Sequence, residues 1–115
     1  MADNPPPVST DTSPAMADAL ARLWKKFLPD IEGRVDLLEA AAGALAAGSL
    51  SDELREKAHA AAHKLAGTLG TFGLHRGTEL ARQCENFLAG PHPPVASFEL
   101  GGRAAELQAI IKSRA

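Results

Sequence analysis

Apolar residues recur along this chain at spacings of three and four, the period of an α-helix with one buried stripe. Met16, Leu20, Leu23 and Phe27 share such a stripe, and Pro29, which lacks a backbone donor, is expected to stop that short helix. Asp30 is placed to cap a second helix carrying Ile31, Val35, Leu38, Ala42 and Leu45 and closing at Gly48. Ser51 is placed to cap a third, with Leu54, Ala58, Ala61, Leu65, Leu69 and Phe72 in line and "GTFG" at its end. A fourth starts near Leu74 and carries Gly77, Leu80, Ala81, Cys84, Phe87 and Leu88 as far as the breaker "GPHPP" at 90–94. A fifth starts near Ser97 with Phe98, Leu100, Ala104, Leu107 and Ile111, its first turns loosened by Gly101 and Gly102. Short connections favour antiparallel neighbours; alanine and aliphatic residues dominate and β-branched residues are few, so the expected fold is all-α. It is an antiparallel up-down-up-down four-helix bundle with a short additional N-terminal helix.

Length and composition narrow this picture. The 115 residues suffice for one core. Residues 1–14 hold four of the eight prolines among small polar residues and read as a disordered N-terminal arm, leaving 15–115 as the bundle domain. A formal charge of −2 without a basic run interleaved with aromatics argues against nucleic acid. The weakly apolar run "AAAGALAAG" is too short to span a membrane. The opening residues have neither a basic nor an apolar signal region. With one cysteine, Cys84, no internal disulfide can form, and the expectation is a monomeric cytoplasmic protein. Cys84 reads as a small buried hydrophobe, Trp24 and Phe27 as a clamp over one end of the bundle, and Arg55, Arg76 and Arg82 as surface residues.

Chemistry concentrates in "AHAAAHKLAGTLGTFG", residues 58–73. His59, His63, Gly67 and Gly70 lie beside the core stripe of the third helix, so His63 faces outward at the edge of the core. Each interior glycine costs a helix about 0.5–1 kcal/mol relative to alanine, and this helix carries two. The compensating property is close approach, because an imidazole flanked by Ala60, Gly67 and Gly70 stands on a flat surface that another active site can cover. That is what a phosphoryl-accepting histidine requires. With Nδ1–H held by an acceptor, the Nε2 lone pair is free for in-line attack, and a nearby cation helps. Lys64 is the nearest, with Lys57 two turns back.

The run "AHKLAGTLGTFGL", residues 62–74, resembles the signature of histidine-containing phosphotransfer (HPt) domains, and "GTFG" is similar to the phosphotransfer domain of chemotaxis histidine kinases. The resemblance implies that His63 is the phosphoacceptor and that Gly67 is the signature glycine four residues on. It also implies a Gln or Glu on the following helix that binds Nδ1, which ungapped counting places at Glu85 in "RQCENFL". The family's lysine three residues after the histidine is Ala66 here, and Lys64 is the candidate to stabilise the phosphoryl group in its place. The implied partners are a response-regulator receiver domain, a histidine kinase, or both. Ala60, Gly67, Gly70 and Lys57 would serve docking, and Mg²⁺ would belong to the receiver rather than to a cofactor site of this chain. No nucleotide-binding glycine loop is present, so the expected role is a phosphoryl carrier without kinase activity.

Two other readings compete. One is a regulatory bundle that binds a receiver without transfer. The other is a metal site on His59 and His63, whose i, i+4 spacing suits two ligands, with Glu56 as a third. Cys84, His75 and His92 are not positioned to complete that set, so no metal is expected.

Overall fold

A computed structural model describes residues 14–89 and 96–114. Within them lie four helices: α1 (Pro14–Ala46), α2 (Asp52–Thr71), α3 (His75–Leu88) and α4 (Ala96–Arg114). Each packs against the next in sequence, and α4 closes back onto α1. The fold is an all-helical bundle, with no strand among the described residues. The expected arm lies outside those residues except for Pro14, which opens α1, where its missing N–H costs nothing.

The separate N-terminal helix is not observed. α1 runs for 33 residues straight through Pro29, and Asp30 is an interior residue rather than a cap. A proline inside a helix costs roughly 3 kcal/mol, chiefly a lost bond and a clash with the carbonyl four residues back. Here both Pro29 and Lys25, which loses the donor, lie on the exposed side. The opposite side is anchored: Trp24 is 3% exposed and meets Phe72, which caps the C-terminal end of α2, edge-on at 5.1 Å, while Ile31, Val35 and Leu38 are fully buried. Tertiary burial on both sides of the proline therefore outweighs the local penalty. Trp24 does clamp a bundle end, under the Arg114 guanidinium 5.3 Å from its ring. Phe27, Leu23 and Met16 instead remain well exposed; α1 buries no residue ahead of Trp24 and none between Trp24 and Ile31.

The core otherwise follows the apolar lines of the sequence. Ala58, Leu65 and Leu69 of α2, Leu80, Ala81 and Cys84 of α3, and Leu100, Ala104, Leu107 and Ile111 of α4 are buried together with the α1 stripe. Phe98, expected in that core, is largely exposed at the start of α4. Phe87 lies beneath the Arg103 guanidinium, 4.9 Å from the ring centroid.

Two glycines set the connections. Gly48 and Gly73 have φ of 72° and 73°, the left-handed region that favours glycine. Each sits at the turn of a Schellman motif: Gly73 N–H donates to Gly70 O and Leu74 N–H to Leu69 O, and Gly48 and Ser49 repeat the pattern on Leu45 and Ala44. Ser51 caps α2 by accepting from the Leu54 amide at 3.1 Å. Arg55 spans helices, donating at 3.0 Å to the Leu88 carbonyl that α3 leaves unpaired at its end. Arg76 ties the start of α3 to α4 through both Glu106 oxygens.

Burial pushes the Cys84 thiol up from 9.0 to about 11, with a small opposing pull from Arg103. Because the folded thiol keeps its proton to higher pH than the unfolded one, its stabilising contribution is complete below about pH 9 and is lost as pH rises through about 11. Urea melts at pH 8 and pH 11 should show that the wild type loses about 2 kcal/mol more over this range than Cys84→Ala. Equal losses would show that the thiol does not titrate in the core.

Candidate functional site

The site lies on the α2–α3 pair, whose helices approach closely near the turn that joins them. A Cβ at Gly77 of α3 would stand 2.9 Å from Leu69 Cδ1 of α2, and one at Gly70 of α2 would stand 3.4 Å from Thr78 Oγ1 of α3. The Thr78 hydroxyl also donates to the Ala66 carbonyl at 3.1 Å, a polar tie between the two helices. Small residues along this seam bring side chains within reach that two ordinary helical faces would keep apart.

Further along the same helix pair, His63 of α2 meets Glu85 of α3. Nδ1 of His63 lies 2.9 Å from Oε2 of Glu85. A carboxylate only accepts, so Nδ1 carries the hydrogen and, in the neutral ring, Nε2 carries the lone pair. The His63 side chain is 73% exposed and that of Glu85 only 25%, so the ring projects into solvent while its anchor is held against the bundle. His59, one turn earlier, faces the same carboxylate at a longer 4.0 Å. Glu85 therefore sits between two imidazoles and bonds closely to one.

His63 borders an open cleft of about 450 Å³ whose other walls are Ala66, Gly67, Arg82, Glu85 and Asn86. Ala66 is buried at its floor. Gly67 is exposed, with no atom within 4 Å of where a Cβ would stand. Nothing inside the fold requires glycine there, in contrast to Gly73 and Gly77. Ala60 and Gly70 are also exposed. Lys57 is exposed and pairs with Glu53 at 3.3 Å. Lys64 is exposed on α2 beside His63 but is not part of the cleft wall. Arg82 and Asn86 do line the cleft, although nothing in the sequence distinguishes Asn86 and Arg82 has the pattern of an ordinary surface residue. Arg82 stands three residues before Glu85 and four before Asn86 on α3, spacings that make it a surface neighbour of both, a relation visible only once Glu85 is known to face His63.

Among the described residues, no group of three or more His, Cys, Asp or Glu side chains is arranged to hold a metal ion. His75 is the first residue of α3, Cys84 is buried, and His92 lies outside the described residues. No described helix is long and apolar enough to cross a membrane.

Comparison with known proteins identifies the family. The family model of the Hpt domain matches residues 22–112. Protein RcaC from Microchaete diplosiphon is 31% identical over 83 residues, which cover 72% of this chain and 13% of that protein. No solved structure shows significant similarity. The chain belongs to the Hpt domain family, whose members pass phosphoryl groups through a histidine in phosphorelays and work with receiver domains and histidine kinases.

Because Gly67 has free space around it and Gly73 is left-handed, substitution should act oppositely at the two positions. Gly67→Ala should stabilise the fold by about 0.5–1 kcal/mol through helix propensity, and Gly73→Ala should destabilise it by about 1–2 kcal/mol. Thermal or urea melts of both variants read this directly. A destabilised Gly67→Ala would mean that the glycine serves packing rather than an open surface.

Proposed function

We propose that His63 Nε2 is the phosphoryl-accepting atom of this Hpt domain and that Glu85 positions it. The observation that carries this reading is the 2.9 Å bond from Nδ1 to Glu85 on a ring that is otherwise 73% exposed. In the forward step the Nε2 lone pair attacks phosphorus of a receiver's aspartyl phosphate. The Nε2–P bond forms, the P–O bond breaks, and its electron pair returns to the aspartate carboxylate. Phosphorylated at Nε2 and still protonated at Nδ1, the ring becomes an imidazolium that Glu85 stabilises. Transfer to a second receiver is the same step reversed.

The flat strip of Ala60, Gly67 and Gly70 lets a receiver's acidic pocket close over the ring, with Lys57 and Lys64 complementing its charge. Mg²⁺ and its ligands belong to that receiver, so this chain needs no cofactor. We read the bundle as an up-down-up-down monomer acting in the cytoplasm. It carries phosphate without kinase activity of its own. Contact with the receiver is transient, since a relay must release what it delivers.

Intact mass after incubation with phosphoramidate tests the assignment. One acid-labile phosphoryl group is expected on the wild type and on His59→Gln, and none on His63→Gln. Glu85→Ala should accept more slowly without losing the reaction, because positioning assists the attack without performing it. An adduct on His63→Gln would place the acceptor elsewhere.

A further inference from the structure

The cleft beside His63 contains a charge problem that its own helix does not solve. Glu85 puts a carboxylate 2.9 Å from the ring, and an incoming phosphoryl group brings more negative charge to the opposite edge. Phosphoryl transfer depends on offsetting that charge. On α2 the cleft contributes His63, Ala66 and Gly67, none of which supplies a fixed cation. Lys57 is engaged with Glu53, and Lys64 lies outside the cleft wall.

Arg82 is the one arginine or lysine among the described residues that line the cleft. It is exposed, and it makes no hydrogen bond or ion pair with another described residue. The neighbouring arginines differ: Arg76 is tied to Glu79 and Glu106, Arg103 to Gln83 and Glu99, and Arg55 to the end of α3. Those three are committed to the fold, whereas the Arg82 guanidinium keeps its donors available on the α3 wall of the cleft that Ala66 also lines. A methyl side chain at 66 leaves the floor low, so a guanidinium from α3 has space above it.

We propose that Arg82 is the phosphoryl-binding cation of this site, donating from α3 to the oxygens of the group on His63 Nε2. The inference rests on the phosphotransfer reading of His63 and adds a residue to it. Arginine suits the task because its planar fork can hold two phosphoryl oxygens at once. The chemistry is unchanged: with phosphoramidate as donor, the Nε2–P bond forms as the donor's P–N bond breaks, and the electron pair leaves with ammonia. Arg82 offsets charge on the phosphoryl oxygens and transfers no proton.

The test is the initial rate of phosphoramidate-dependent modification of the full chain, followed by intact mass for wild type, Arg82→Gln and Arg82→Lys. A small donor separates the cleft's own chemistry from receiver docking. Arg82→Gln should react about tenfold more slowly, as expected for loss of a charge-assisted hydrogen bond, and Arg82→Lys, which keeps the charge and loses the fork, should react at a rate between the two. An Arg82→Gln rate equal to wild type overturns the proposal, as does an Arg82→Lys rate as low as that of Arg82→Gln, since charge would then not be the cause. Failure of the parent reading looks different: wild type itself would take no phosphoryl group, or His63→Gln would take one.

Discussion

The close approach of α2 and α3 is the constraint on which the site depends. With Gly77 against Leu69 and Gly70 against Thr78, the helices meet more closely than larger side chains would allow. A methyl group at 77 would have to displace Leu69, a residue with no solvent exposure and little freedom to move. The same seam sets the reach from α3 to the His63 ring. Glu85 can then bond Nδ1 while remaining three-quarters covered, which fixes its orientation better than a carboxylate on open surface could. Packing of small residues is thus converted into control of one nitrogen atom.

The remaining devices of the fold serve that geometry at a distance. Schellman turns at Gly48 and Gly73 end α1 and α2 sharply, and the second turns the chain directly into α3, so the two site helices are joined by a connection with little slack. Arg55 closes the far end of the pair on the Leu88 carbonyl. Trp24, Phe72 and Arg114 gather α1, α2 and α4 near the C-terminal end of α2. The site helices are therefore held at both ends, while the face bearing His63, Gly67 and Ala60 is left uncovered. Rigid support beneath an open surface suits a ring that a partner must approach from outside.

Much of this was legible in the residues. The periods of three and four located the core, Ser51 announced the start of α2, and the glycines announced the turns, because each rests on local stereochemistry that a sequence displays. The Glu85 contact was reachable by counting along a resemblance. Pro29 misled, since its local cost is visible in sequence whereas the burial of Trp24 that outweighs it depends on Phe72 and Arg114, far away in the chain. Met16, Leu23 and Phe27 misled in the complementary way: they have a helical period, but the first turns of α1 do not bury it. The distinction among arginines was out of reach, because one becomes a cap, another a bridge and a third a cleft wall only through the helix each faces.

The most direct measurement is nitrogen-15 NMR of the imidazoles, which reports which ring nitrogen bears hydrogen and, after phosphorylation, which is bonded to phosphorus. The hydrogen bond to Glu85 predicts neutral His63 as the Nδ1–H tautomer, loss of that preference in Glu85→Ala, and nitrogen–phosphorus coupling at Nε2 in the modified protein. Neutral His63 found as the Nε2–H tautomer, or phosphorus bonded to Nδ1, would contradict the role assigned to the α2–α3 contact.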